Sequence, residues 1–254
     1  MTLFDSFLFG LVEGITEFLP ISSTGHLILV GKLLGLSSTE FLKSFEIAIQ
    51  LGAIASVVVL YWRMFLRFEL LKKLFVAFLP TGIVGLFLYR AIKTYFLGSE
   101  QIVLWALLLG GIALIVFELL HKEPPEESVV SMPSYRQSFL IGLAQAVAVI
   151  PGVSRSGATI LGGLLLGLPR KTIIEFSFLL AVPTMLAATG FDLLKSASSF
   201  PTANFEILAV GFLTSFVVAL LSIRFLLAFI QKYTFISFGV YRILAALLFW
   251  LVIL

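Results

Sequence analysis

A chain of 254 residues that is 60% hydrophobic and 12% charged, with a mean hydropathy of +1.12, carries too much apolar surface for a soluble core and reads as an all-α polytopic membrane protein. Zero cysteines and two histidines, His26 and His121, exclude disulfides and thiol catalysis and leave no basis for a Cys/His zinc site. The net charge of +3 gives no reason to expect nucleic acid as a partner.

The opening residues, MTLFDSF, lack a basic region ahead of a small-residue cleavage site, so no removable signal peptide is expected. Residues 11–27, LVEGITEFLPISSTGHL, place two glutamates, three adjacent hydroxyls and a histidine in an otherwise oily run broken by Pro20 and Gly25. The apolar segments on either side, about 14 residues each, are too short to span a bilayer and suit a re-entrant hairpin buried in protein. Three long runs follow at 44–61, 70–92 and 102–120, near the ~20 residues a spanning helix needs. Residues 121–137, HKEPPEESVVSMPSYRQ, are polar with three prolines and read as a solvated linker. A second polar break, IPGVSRSGATI at 150–160, then precedes runs at 172–194, 205–230 and 237–254. The expected inventory is six transmembrane helices plus two re-entrant helical hairpins, about ten helices in one membrane domain.

Sliding the chain by 132 residues superimposes SFLFGL (6–11) on SFLIGL (138–143), Ser22 on Ser154, Gly25 on Gly157 and Gly31 on Gly163. The chain therefore divides into internal repeats at 1–120 and 138–254. Three spans per half is an odd number, so the halves are expected in inverted topology. Placing the Arg63, Arg67, Lys72 and Lys73 loop in the cytoplasm puts Arg224, Lys232 and Arg242 there too, a balance of eleven basic residues inside against five outside, with both termini outside. Hairpin one then enters from the outer face and hairpin two from the cytoplasm, so that their tips meet near the midplane.

Glu13 and Glu17 are four apart and share a helix face. Two carboxylates that close in a low dielectric need a shared proton, a cation or a basic partner. The aligned positions of the second half are Gln145 and Val149, so only one half carries this pair. Ser22, Ser23 and Thr24 stand where a helix begins and serve equally as caps or as ligands; His26 lies in that helix's first turn, where anions are favoured. In the second tip Arg155, between Ser154 and Ser156 with Gly152, Gly157 and Thr159 nearby, offers a fork of donors beside exposed backbone N–H groups, the makings of an anion cradle; a salt bridge to Glu13 or Glu17 is its plainer use. Glu46 and Gln50 could line the mouth of the cavity. Gly162, Gly163 and Gly167 could pack within the fold or between subunits.

These residues carry a resemblance. EGITEFLPISSTGH (13–26) and PGVSRSGAT (151–159) resemble the two signature regions of the bacterial undecaprenyl-diphosphate phosphatases of the bacitracin-resistance type, and FEIAIQLGAI (45–54) and EFSFLLAVP (175–183) are similar to further segments of that family. The resemblance implies an enzyme that removes the terminal phosphate of a C55 isoprenoid diphosphate and returns the lipid carrier to peptidoglycan synthesis. It implies a bacterial plasma-membrane location with the site towards the outer face and a divalent cation, Mg²⁺ or Ca²⁺. By motif, Glu13 and Glu17 match the paired glutamates, Ser22, Ser23 and His26 the hydroxyl and histidine positions, and Arg155 the essential arginine.

On that reading Glu17, Ser23, His26 and Arg155 are the catalytic candidates. Ser22, Thr24, Gly152, Ser154, Ser156 and Thr159 join Arg155 in binding the diphosphate, and Glu13 and Glu17 hold the metal. The attacking group stays open between Ser23, His26 and a water, with Ser23 and Glu17 as base favoured. The partners are the polyprenyl diphosphate and membrane lipids, with a homodimer possible. Another membrane lipid phosphatase family uses Ser-Gly-His and Ser-Arg elements, but its second histidine is missing here, since no His follows Arg155. A lipid transporter or flippase built on inverted repeats is the alternative.

Overall fold

The computed structural model describes residues 1–37, 39–91, 99–121, 132–196 and 205–253. Most of the linker, with Lys122, and also Lys93 lie outside the described residues, as do the side chains of Arg90, Asp192 and Lys195. Among the described residues ten α-helices follow in order: α1 (Leu3–Thr16), α2 (Ser23–Leu33), α3 (Glu40–Tyr61), α4 (Phe68–Ala91), α5 (Glu100–Leu120), α6 (Tyr135–Ala146), α7 (Arg155–Leu165), α8 (Arg170–Ser196), α9 (Phe205–Phe229) and α10 (Ile236–Ile253), with a 3₁₀ turn at Val147–Val149.

Among the described residues five helices are long and apolar enough to cross a membrane: α3, α4, α5, α8 and α9. The sixth expected span, α10, has an apolar stretch at Ile236–Val252 that falls just short of that length. Their outer faces carry large apolar side chains with nothing over them, such as Phe87 and Leu251 at 85% exposure, as lipid-facing surfaces do. This is a multi-pass membrane protein. The remaining four helices are short: α1 and α2 have 14 and 11 residues and α6 and α7 have 12 and 11, about 16–21 Å each at 1.5 Å per residue, so neither pair can cross a hydrocarbon layer of about 30 Å.

The 132-residue register recurs in local chemistry. Thr2 and Ser134 each cap a first helix with a reciprocal capping box, closed by Asp5 and Gln137 respectively. Ser22 and Ser154 each cap the second helix by accepting from the N–H of Gly25 and Gly157. Gly35 and Gly167 then end those helices with φ of 64° and 76°, a left-handed turn that glycine adopts at least cost. In both, the next residue's N–H returns to Gly31 or Gly163.

Packing crosses between the halves. α1 lies along α9, α6 along α4, and α5 pairs with α10. Close approach needs small residues: a Cβ at Gly14 would lie 2.8 Å from the Ser215 carbonyl oxygen, and one at Gly142 would strike the Ala77 carbonyl. Gly162 and Gly163 are used in the same way inside the fold, facing Ala144 and Ile173. The main core cluster joins the first tip (Phe18, Leu19, Ile21) to Ile160 and Leu164 of α7 and to Phe176 and Phe178 of α8, with Phe18 edge-on to Phe178 at 5.3 Å. The non-helical tip is thereby enclosed in protein, the condition for irregular backbone at membrane depth.

Candidate active site

The two tips meet. Arg155, the first residue of α7, donates through Nη2 (3.0 Å) and Nε (3.4 Å) to Glu17 Oε1, and through Nη1 to the Ser177 carbonyl (3.0 Å). Three of the five guanidinium N–H groups are engaged in this way, which leaves two for an anion. The ion pair is nearly enclosed, its side chains 12% and 5% exposed. The other carboxylate oxygen of the pair, Glu17 Oε2, accepts a 2.5 Å hydrogen bond from Ser23 Oγ. One carboxylate thus orients the arginine of the opposite tip and the hydroxyl of its own.

Glu13 lies one turn earlier on α1, fully buried, with both carboxylate oxygens lacking a hydrogen-bond donor. The charged groups near enough to act on it are Glu17, Glu46 and Arg155, which brings α3 into the site. Buried orphan carboxylate oxygens are rare, and here they sit beside a second carboxylate. Among the described residues no group of three or more His, Asp or Glu side chains is set around one point; Glu13 and Glu17 are the two carboxylates that would have to hold a cation here. That fits Mg²⁺ or Ca²⁺, which take oxygen ligands; Mg²⁺ commonly combines one or two carboxylates with waters and substrate phosphate oxygens.

Ser22 adopts φ 72° and is, among the described residues, the sole non-glycine with positive φ. Its aligned partner Ser154 has φ −70°, so this strain belongs only to the half that carries the glutamates. Strain of this kind persists where surrounding contacts over-determine the backbone. Here the Ser22 carbonyl is held by His26 Nδ1 at 2.7 Å, and His26 Nε2 meets the Tyr241 hydroxyl at 2.9 Å with the two rings stacked. A carbonyl can only accept, so Nδ1 carries the proton and, in the neutral ring, Nε2 accepts from Tyr241. Both ring nitrogens are therefore occupied, whereas the Ser23 hydroxyl faces a carboxylate.

The second tip is used mainly to join the first. Ser156 Oγ donates to the Leu19 carbonyl (2.8 Å), Ser154 Oγ reaches the same oxygen (3.4 Å), and the two hydroxyls lie 2.9 Å apart. Thr159 directs its hydroxyl to the Arg155 and Ser156 carbonyls and to Ser177 Oγ. Gly152, at φ 90°, lies against α5, where a Cβ would come 2.7 Å from the Val103 carbonyl oxygen; its own carbonyl accepts from Arg242. Thr24 is half-buried beside Ser23, and Glu46 and Gln50 are half-buried on α3.

Arg242 corrects the charge reading made from sequence. It is the seventh residue of α10, 2% exposed, and hydrogen-bonded to both tips, so it is not a cytoplasmic surface charge. Without it the inside-to-outside balance is ten to five, which keeps its direction. Tyr241, Ser177 and Arg242 are the residues at the site that sequence reasoning missed. YR in the second turn of an apolar helix carries no distinguishing pattern.

The family model described as bacitracin resistance protein BacA matches residues 6–248. The chain belongs to that family. Among its relatives is an undecaprenyl-diphosphatase of Sulfurihydrogenibium sp., 52% identical with 99% of each chain covered. Proteins of the same name in Aquifex aeolicus and Persephonella marina are each 50% identical, covering 98% and 100% of both chains. The family match spans both tips, which the Glu17–Arg155 pair joins.

Proposed function

We propose that this protein is an undecaprenyl-diphosphate phosphatase: it hydrolyses undecaprenyl diphosphate to undecaprenyl phosphate and inorganic phosphate, returning the lipid carrier to peptidoglycan synthesis and conferring bacitracin resistance. The observation that carries the reading is the junction at Glu17, where one carboxylate binds Arg155 and Ser23 together, combined with full-length relatives named for this activity.

In the mechanism this supports, the terminal phosphate lies between Ser23 and the two remaining N–H groups of Arg155. Ser23 Oγ attacks phosphorus as its proton passes to Glu17 Oε2, the bond to the bridging oxygen breaks, and undecaprenyl phosphate leaves carrying that proton, which returns Glu17 to its carboxylate. Water then gives a proton to Glu17 as it attacks the phosphoserine, and Glu17 passes that proton to Ser23 Oγ as the serine–phosphate bond breaks and inorganic phosphate leaves. Phosphoryl transfer depends on positioning and charge stabilisation, which Arg155 and the helix N-terminus at Ser23 provide. His26 orients the strained Ser22 backbone next to the attacking residue. Glu13 and Glu17 would hold a divalent cation, whose chemistry when bound is to neutralise phosphate charge.

The halves are read as inverted repeats that bring hairpin one from the outer face, which puts the site towards that face and both termini outside. The odd number of spans per half and the basic-residue balance support this. Phosphate release from purified protein in detergent, with and without Mg²⁺ or Ca²⁺, tests the reading. Cation-dependent release supports it. Absence of release from folded protein under either cation, with polyprenyl diphosphate moving across proteoliposomes, replaces it with the transporter.

A further inference from the structure

Among the described residues Arg242 has no carboxylate partner. Its guanidinium donates to four backbone carbonyls: Nη1 to Pro20 (3.2 Å), Nη2 to Gly152 (3.1 Å) and Ala106 (2.8 Å), and Nε to Leu107 (3.2 Å). Pro20 belongs to the first tip and Gly152 to the second, while Ala106 and Leu107 belong to α5. A buried arginine is ordinarily matched by an acid; here the carbonyl dipoles of three separate segments take that place. It lies about 9 Å along α10 and about as far from the Glu100 end of α5, well inside both helices.

The surrounding fold is shaped for it. A Cβ at Gly110 would strike Arg242 Nη2, and one at Gly111 would lie 3.1 Å from Arg242 Cβ, so two successive glycines on α5 open the space the side chain fills. Gly111 and Gly239 also let α5 and α10 come together, since a Cβ on either would lie within 2.8 Å of the other's carbonyl oxygen. No hydrogen bond joins Arg242 to Glu17, Ser23 or Arg155. Its hydrogen bonds to the two tips go to the breaks in the chain, at the Pro and the Gly that interrupt the two apolar runs.

We infer that Arg242 is the positioning residue of the active site: by clamping the Pro20 and Gly152 carbonyls to α5 it sets the register of the two tips, and so the reach of Arg155 to Glu17. Removing the clamp loosens the tips relative to each other while every group that touches substrate is still present. A misplacement of ~1 Å can cost about 10²-fold in rate, so the effect falls on kcat rather than on KM. The inference depends on the phosphatase reading for its kinetic consequence, and a geometric test separates the two.

The absence of cysteine makes that test direct. A Cβ at Gly157 would lie 3.5 Å from Pro20 Cβ, near the ~3.8 Å typical of a disulfide, so a Pro20→Cys/Gly157→Cys pair reports tip register by its oxidation rate with no need for activity. Adding Arg242→Met, Arg242→Lys or Gly110→Ala to this pair is expected to slow cross-linking at least fivefold. Lys keeps the charge but not the fork, and Gly110→Ala displaces the fork without removing it. In the otherwise native protein each is expected to lower kcat about 10²-fold with KM within threefold. Cross-linking unchanged in any folded variant overturns the inference, whatever the phosphatase assay gives. Slowed cross-linking with kcat unchanged overturns the link between register and catalysis.

Discussion

Arg155 Nη2 and Glu17 Oε1 stand 3.0 Å apart across two chain segments separated by 138 residues, and they form the charged seam between the tips. Breaking a buried pair by removing one partner strands the other charge. Arg155→Met is therefore expected to destabilise by about 3–5 kcal/mol, and the double variant Arg155→Met/Glu17→Gln to recover a large part of that loss. Thermal unfolding in detergent of the two singles and the double checks this; additive losses would show that the seam contributes nothing.

Glu13 has two buried carboxylate oxygens with no donor and Glu17 as its neighbour. Glu13→Gln is expected to raise the Mg²⁺ or Ca²⁺ concentration needed for half-maximal phosphate release at least about 10-fold, while leaving Ser23 bonded to Glu17. A cation titration of activity reads it out. An unchanged midpoint would remove Glu13 from the metal seat.

Ser22 pairs a positive φ with a helix cap. Glycine relieves the strain and loses only a few tenths of a kcal/mol as a cap, whereas alanine keeps the strain and loses the cap bond. Ser22→Gly should therefore be more stable than Ser22→Ala by about 1–2 kcal/mol. Equal unfolding temperatures would mean that neither the cap nor the strain carries weight.

Much of this site was legible because charge inside an apolar run is costly and so conspicuous. Glu13, Glu17 and Arg155 announce themselves in that way, and the 132-residue register locates the caps at Ser22 and Ser154. The helix ends also follow from pattern: the run expected at 102–120 is observed at Glu100–Leu120. Arg242 was not legible, because its partners are backbone carbonyls, which any residue supplies, and its space comes from Gly110 and Gly111 on another helix. An arginine six residues into an apolar run looks topogenic until that packing is known. Thr159 was half legible: sequence places it by Arg155, but only the fold turns its hydroxyl to Ser177.

The attacking group is tested most directly by phosphate release from undecaprenyl diphosphate with Ser23→Ala, purified, folded and saturated with cation. The 2.5 Å bond from Ser23 to Glu17, beside a His26 whose ring nitrogens are both occupied, predicts a kcat at least about 10²-fold below wild type, with Glu17→Gln adding little further loss because the two act as one unit. A Ser23→Ala enzyme within threefold of wild type would contradict the account and move the attack to a water or to His26.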